Sequence, residues 1–274
     1  MKILVIGSNG MAGHVIVNYL KQQTYDVHTV ARNNADFCLD IENVLDVAHF
    51  FNNIEVYDYV INCIGLLVKD SIDRPDRAAI INAWFPHYLE HVLIGKATRL
   101  IHLSTDCVFD GKKGEYIETD THTEMNAYGS SKSLGEVNND KDITFRMSII
   151  GPELKSNGTG LFNWIVNNPN KELQGWNNAW WNGITTLELA KCIDQYMQNP
   201  KISGVYHLVN NNNKINKYDL LCKINEIFNL NKTIIETTGP KPVNKILLDQ
   251  RQEFNFNISD YDTQLLGLKN YDTL

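Results

Sequence analysis

The chain has 274 residues, 43% of them apolar, with a formal charge of −7 and a pI near 5.6. That length holds one large α/β domain, or a domain with a smaller lobe, and the apolar content supplies a full core without covalent staples. The acidic balance, with no Lys/Arg cluster, excludes a basic field for nucleic acid or an anionic membrane, and no run of about 18 apolar residues is present to cross a bilayer.

The first element is the apolar strand Ile3-Leu4-Val5-Ile6, too short for a secretory h-region. It runs into Gly7-Ser8-Asn9-Gly10-Met11-Ala12-Gly13 and an amphipathic helix from His14 to Leu20. In this strand, glycine turn and helix, Gly7 supplies the sharp turn, Gly10 lets the backbone approach a phosphate, and Gly13 lets the helix lie close to the sheet. The unpaired N–H groups and positive dipole end of the helix face an anion there. The turn therefore reads as the seat of a dinucleotide pyrophosphate, with Asn9 and Met11 among its contacts.

Further strands are expected at Asp26 to Val30, Asp36 to Leu39, Tyr59 to Ile64, Leu100 to Ser104 and Ile143 to Ser148, with helical patterns between them. This alternation predicts an α/β fold built on a doubly wound parallel (Rossmann) sheet. An acidic residue after the second strand would bind an NAD ribose; Arg32 stands there instead, and its planar fork suits the 2′-phosphate of NADPH, with NADH the alternative cofactor. Asp40 also reads as N-cap of a helix starting at Ile41. Cys63-Ile64-Gly65, after the fourth strand, forms a platform close to the ribose and nicotinamide, with Cys63 a small buried residue. The longest expected helix runs from Ala78 to Lys96, carrying Ile80, Ile81, Trp84, Tyr88 and Val92, and Pro86 kinks it.

The fifth strand ends in Ser104-Thr105-Asp106-Cys107, at the strand end where α/β sites collect polar residues. Thr105 can hydrogen-bond a carbonyl oxygen there. Tyr128 and Lys132 follow at i, i+4, on one helix face, a spacing in which an ammonium lowers a phenol's pKa and keeps donors for ribose hydroxyls. Glu136 is a competing partner for Lys132 one turn on.

Beyond Gly151-Pro152 the pattern loosens into Asn-rich segments with Trp176, Trp180 and Trp181. A strand from Val205 to Val209 is expected to rejoin the main sheet. A helix from Tyr218 to Phe228, a strand from Thr233 to Glu236, the turn Gly239 to Pro242 and a helix from near Ser259 complete the chain. The expected division is a dinucleotide-binding domain over 1–150, joined by the strand near 204–209, and a substrate-binding lobe over 151–203 and 210–274. The five cysteines, an odd number without CxxC spacing, argue against a disulfide framework or a zinc cluster, so no metal and a reducing cytoplasm are expected.

GSNGMAG (7–13), STDCVFDG (104–111), YGSSK with LGE (128–136) and WNGITTLELA (181–190) together resemble the extended short-chain dehydrogenase/reductases, and within them the dTDP-4-dehydrorhamnose reductase type acting on nucleotide-linked 4-keto-6-deoxy sugars. The resemblance implies that Tyr128 protonates a ketone oxygen held by Thr105 while a nicotinamide delivers hydride, and that Lys132 tunes Tyr128 and grips ribose. It also implies adenine contacts at Asp40 and Ile41 and a cofactor contact at Ser104. The implied partner is a nucleotide-diphosphate sugar feeding surface polysaccharide; a homodimer is left open.

Family dehydratases carry an Asp-Glu pair after the threonine; here Asp106 is followed by Cys107, so water elimination lacks one carboxylate. Cys107 also matches the cysteine that GDP-fucose synthase uses for epimerisation, which needs a histidine as well. His207, alone beyond residue 150, falls in the returning strand and reads as structural. The alternatives to reduction are thus an epimerase/reductase using Cys107, and a regulatory subunit like that of methionine adenosyltransferase, binding NADP without turnover. For the substrate, Asp106 is expected on sugar hydroxyls, Trp176 on a base or sugar face, Trp180 in a small core, and Thr185 on the sugar or its diphosphate. Arg146, Lys155, Lys241 and Arg251 are all candidates for the phosphates.

Overall fold

The computed structural model, which describes residues 1–155, 158–251 and 253–271, begins with β1 (Lys2–Ile6), α1 (Met11–Gln22), β2 (Asp26–Ala31), β3 (Phe37–Cys38), α2 (Val44–Asn53) and β4 (Tyr59–Asn62). There follow α3 (Val68–Asp73), α4 (Pro75–Ala78), a π-helical stretch (Ala79–Trp84), α5 (Phe85–Val92), β5 (Arg99–Thr105), α6 (Ala127–Leu134), β6 (Ile143–Met147) and β7 (Ile149–Ile150). The remaining elements are α7 (Leu161–Asn167), β8 (Glu172–Trp176), β9 (Ala179–Trp181), β10 (Ile184–Thr185), α8 (Thr186–Gln198), β11 (Gly204–His207), β12 (Ile215–Asn216), α9 (Lys217–Ile227), β13 (Thr233–Thr237), β14 (Val243–Asn244) and α10 (Tyr261–Lys269).

Seven strands pair in the order β11-β6-β5-β4-β1-β2-β3, all parallel, the expected doubly wound sheet. Both faces are covered, which is why β1 is apolar throughout rather than alternating. Ile3 and Val5 pack with α1 and α8 on one face; Leu4 and Ile6 pack with α2 and α5 on the other. β11 joins the edge at β6 with Gly204 opposite Ile143, as the returning strand was expected to do. The strand order reverses between β1 and β4, opening a crevice at their carboxyl ends.

Two local expectations are corrected. The helix expected from Ala78 to Lys96 runs without a break from Pro75 to Val92, starting and stopping earlier than expected and passing through a π stretch between α4 and α5. Pro86 has no N–H to return to the Asn82 carbonyl, and the chain widens to a π turn just before it. Gly135 packs on that carbonyl so closely that a Cβ would lie 1.8 Å from its oxygen. Asp40 does not cap a helix at Ile41: α2 begins at Val44 under Asn43, whose side chain accepts from Asp46 N, and Asp40 Oδ1 instead accepts from Glu42 N at 3.1 Å in the preceding turn.

Beyond β6 the small sheets β12-β9-β14 and β13-β8 form around Trp181, Leu173, Leu220 and Leu265. α8 had no counterpart in the hydropathy pattern. It buries Thr186, Glu188 and Asp194 along with its apolar residues, and Glu188 accepts from Ser259 N at 2.6 Å while Asp194 accepts from the Tyr25 hydroxyl at 2.6 Å. Among the described residues no helix is long and apolar enough to cross a membrane.

Candidate active site

The glycine turn sits at the crevice. Gly7 has φ +83°, a left-handed conformation that favours glycine, and its N–H donates to Val30 O at 2.8 Å. At Gly13 a Cβ would lie 2.1 Å from Gly7 O, so only a bare α-carbon lets α1 start here. First-turn N–H groups of α1, including those of Met11 and Ala12, lack helical acceptors and face an incoming anion. These features fit a dinucleotide pyrophosphate. Asn9 turns its side chain to Asn33 O (2.7 Å) and ties the turn to the end of β2, from which Arg32 projects into solvent. Ile41 is buried below, and Asp40 is exposed.

Across the crevice, Cys63 N donates to Ile6 O at 2.9 Å, and Ile64 N to Asn62 Oδ1 at 3.2 Å. The chain Cys63-Ile64-Gly65 thereby lies against Gly7, as expected for a platform. Burial pushes the Cys63 thiol up to about 12, so it stays protonated.

Thr105 closes β5 and Tyr128 opens α6 under the Asn126 cap, which accepts from Gly129 N at 2.9 Å. α6 packs on the end of β5 there, where a Cβ at Gly129 would lie 2.6 Å from Cys107 O; burial, the largest cause, and then the Cys107 thiol push the Tyr128 phenol up, with the Thr105 hydroxyl close enough to oppose them. Thr105 Oγ1 also accepts from Cys107 N (3.1 Å) and donates to Asp106 Oδ1 (3.2 Å). Asp106 is buried; desolvation raises its carboxyl, and Lys245 and Lys217 draw it back. Burial and then Asp106 push the Cys107 thiol up to about 12. At neutral pH the phenol and the thiol are therefore both proton carriers rather than anions.

Lys132 departs from expectation. It shares a face with Tyr128, but its buried ammonium donates to Leu103 O at 2.7 Å and has no resolved effect on the phenol. The strand-end carbonyl is the nearer acceptor. Burial pulls Lys132 down to about 8, with Glu136 opposing. A depressed lysine costs folding free energy while charged, about 3 kcal/mol for this shift, and the cost disappears as pH rises through about 8 toward the unfolded value. K132M removes that cost but leaves Leu103 O without its donor, a loss of about 1–3 kcal/mol. It should melt within about 5 °C of wild type at pH 7; a drop beyond roughly 10 °C in thermal denaturation would show that the bond dominates.

The Ser104 hydroxyl, at the end of β5, donates to Glu136 Oε1 at 2.6 Å. Glu136 is paired with Arg146, which is 2% exposed, through Nε (2.8 Å) and Nη2 (2.5 Å). Arg146 also donates to His207 Nε2 and to His122 Nε2, both at 2.8 Å, and its guanidinium lies 5.2 Å from the Phe109 ring centre. It is withdrawn from any phosphate. His207 donates through Nδ1 to Leu248 O (3.0 Å) and is held neutral, down to about 3, by burial and then by Arg146. Its structural reading stands.

Arg251 is likewise spent, on Ser203 O (2.6 Å) and Val205 O (2.9 Å), whereas Lys155 and Lys241 are exposed. Thr185 is not offered to a sugar: it is 1% exposed, and its hydroxyl caps α8 by accepting from Glu188 N at 3.2 Å. The tryptophans exchange roles. Alternation along β9 turns Trp181 inward (3% exposed), stacked on Tyr261, and Trp180 outward (40%); Trp176 is 45% exposed, as a stacking surface requires. Lys217 and Lys245, passed over in the sequence, are the two cations drawn to Asp106. Lys217 carries one legible sign, a cation placed in the first turn of a helix against the dipole.

The profile of the RmlD substrate binding domain matches residues 1–247. The chain belongs to the RmlD substrate binding domain family. Among relatives of this RmlD family member, methionine adenosyltransferase 2 subunit beta of Xenopus tropicalis is 24% identical over 257 residues, 88% of this chain and 76% of that protein. The spore coat polysaccharide biosynthesis protein SpsK of Bacillus subtilis is 28% identical over 253 residues, 89% of this chain and 85% of that one. In structure the RmlD fold here is similar to dTDP-4-dehydrorhamnose reductase of Bacillus anthracis in complex with NADP, with TM-score 0.83 and 20% identity over 98% and 99% of the two chains.

Proposed function

We propose that the protein is a reductase that uses NADPH to reduce the 4-keto group of a nucleotide-linked 4-keto-6-deoxyhexose, on the way to deoxysugar units of surface polysaccharide. The observation that carries this is the seating of Tyr128, in the first turn of α6, against the segment Thr105 to Cys107 that ends β5, beside the switch-point crevice: a Cβ on the neighbouring Gly129 would lie 2.6 Å from Cys107 O. Family membership, a polysaccharide-biosynthesis relative and an NADP-bound structural neighbour support it.

NADPH, when bound, supplies the hydride. Its pyrophosphate would lie on the first turn of α1, its 2′-phosphate on Arg32, its adenine by Asp40 and Ile41, and its nicotinamide side along Cys63-Ile64-Gly65. Tyr128 gives its proton to the ketone oxygen, which Thr105 orients. Lys132 fixes the strand end at Leu103 and offers its remaining protons to ribose hydroxyls. Residues 151–203 and 210–274 act as the substrate lobe, with Trp176 as a stacking face and Asp106 accepting from sugar hydroxyls. Cys107 stands where a dehydratase needs a carboxylate, and a protonated thiol is a poor base. All five cysteines are free, consistent with a cytoplasmic enzyme.

The direct test follows NADPH oxidation with the 4-keto-6-deoxyhexoses of dTDP, UDP and GDP; turnover of at least one is expected, and none with all three overturns the reading. R32E should move the NADPH to NADH ratio of kcat/KM about tenfold or more toward NADH, since it replaces a charge-assisted contact by repulsion. An unchanged ratio would show Arg32 facing solvent in the complex. The methionine adenosyltransferase subunit among the relatives favours one second reading, an NADP-binding regulatory subunit.

A further inference from the structure

Two amines from the C-terminal half of the chain turn toward the carboxylate that follows Thr105. Lys217 is the first residue of α9, and its Nζ lies 4.9 Å from the centre of the Trp181 ring. Lys245 follows β14; its N–H donates to Trp180 O at 3.2 Å, and its stem passes beside Gly111. Both side chains are partly buried. Among the described residues no hydrogen-bond partner is found for either ammonium; the two lysines follow Asn216 and Asn244, which pair with Trp180 from opposite sides of β9.

This arrangement is costly without an anion. A cation in the first turn of a helix opposes the dipole, and a partly desolvated ammonium needs a counter-charge. Asp106 is the one carboxylate that both lysines feel strongly, and it already accepts from Thr105. Two ammonium groups thus share one buried carboxylate next to the threonine, with Glu124 a weaker partner of Lys245 alone. Burial pulls Lys217 below its ordinary value, as expected of an ammonium short of an anion; at Lys245 burial is outweighed by Cys107 and Asp106. Arg146 and Arg251, the arginines considered for phosphate, are committed elsewhere.

We propose that Lys217 and Lys245 form an oxyanion cradle in the substrate site, closing on an anionic group of the substrate while Asp106 faces its hydroxyls. The proposal rests on the nucleotide-sugar reading above and adds the residues that select the substrate. The oxyanion has two sources, the diphosphate linkage or a carboxylate carried by the sugar. Lysine suits either, as a compact point charge on a mobile stem.

The test uses the full chain with saturating NADPH, and measures Kd by calorimetry for free UDP, dTDP and GDP and for UDP-glucose and UDP-glucuronate. K217M and K245M keep the stems and remove the charges; unchanged NADPH affinity certifies their fold. Weakening of free nucleotide and both UDP sugars by about tenfold or more assigns the cradle to the diphosphate. Unchanged nucleotide binding, with UDP-glucuronate bound about tenfold tighter than UDP-glucose by wild type alone, assigns it to a sugar carboxylate. Retention of every Kd within about twofold in both variants overturns the cradle. Failure of hydride transfer with lysine-dependent binding intact would instead overturn the reductase reading and leave the cradle standing.

Discussion

Tyr128→Phe is expected to lower kcat by about a hundredfold or more while leaving NADPH affinity and Tm unchanged. General acid catalysis contributes on the order of 10²–10⁴ in rate, and the substitution removes one hydroxyl while keeping the ring that α6 packs. The phenol is well placed to donate: burial and Cys107 keep it protonated far above neutrality, so the proton is present whenever substrate arrives. An alkaline limb in the pH profile would therefore belong to Lys132, which loses its proton near pH 8. The measurement is kcat at saturating NADPH and substrate, beside a fluorescence titration of NADPH. If Tyr128→Phe turned over like wild type, the hydroxyl would not be the donor and the regulatory reading would gain.

Arg146→Met should cost about 3–5 kcal/mol of stability, because it leaves the buried Glu136 carboxylate with the Ser104 hydroxyl, the edge of His122 and the more distant Lys132 ammonium. For a chain of this size that is a fall in Tm on the order of 10 °C. His207 Nε2 and His122 Nε2 lose their donor in the same step. Adding Glu136→Leu should recover part of the loss, since an apolar pair carries no desolvation cost. Thermal denaturation of the single and double variants checks both; a single variant within about 1 kcal/mol of wild type would show that water replaces the guanidinium. The cluster is not needed for net stability so much as for joining the ends of β5, β6 and β11 to the last turn of α6, where Lys132 leaves the helix.

The glycine turn and the parallel sheet were legible because each rests on local rules. Ile3 to Gly13 encodes its own strand, turn and helix, and a strand covered on both faces must be apolar throughout. The same locality made Tyr128, Lys132 and Thr105 visible as candidates. What stayed hidden depends on partners far along the chain. α8 was missed because Glu188 and Asp194 look like solvent-facing residues until Ser259 and Tyr25 are in place to meet them. Trp180 and Trp181 cannot be told apart by composition; the register of a three-residue strand decides which one is buried. Thr185 was expected on the ligand because WNGITTLELA resembles the family's lobe motif, whereas its hydroxyl serves as a helix cap for Glu188 N. Lys132 at i, i+4 met Tyr128 in direction, but the carbonyl of Leu103, 29 residues away, claimed its proton. Arg146 looked like a phosphate ligand because nothing in the sequence announces that Glu136, His122 and His207 will surround it.

The edge strand Gly204–His207 gives the fold an order of assembly. It hydrogen-bonds to β6, which precedes it by some 60 residues, so everything between the two must be made before the edge of the sheet is covered. During synthesis β6 waits with an open ladder, the kind of edge that invites pairing with a foreign strand. The seven-stranded sheet is therefore no detachable module: its last strand emerges from the ribosome only after residues 151–203, and the two parts of the chain mature together.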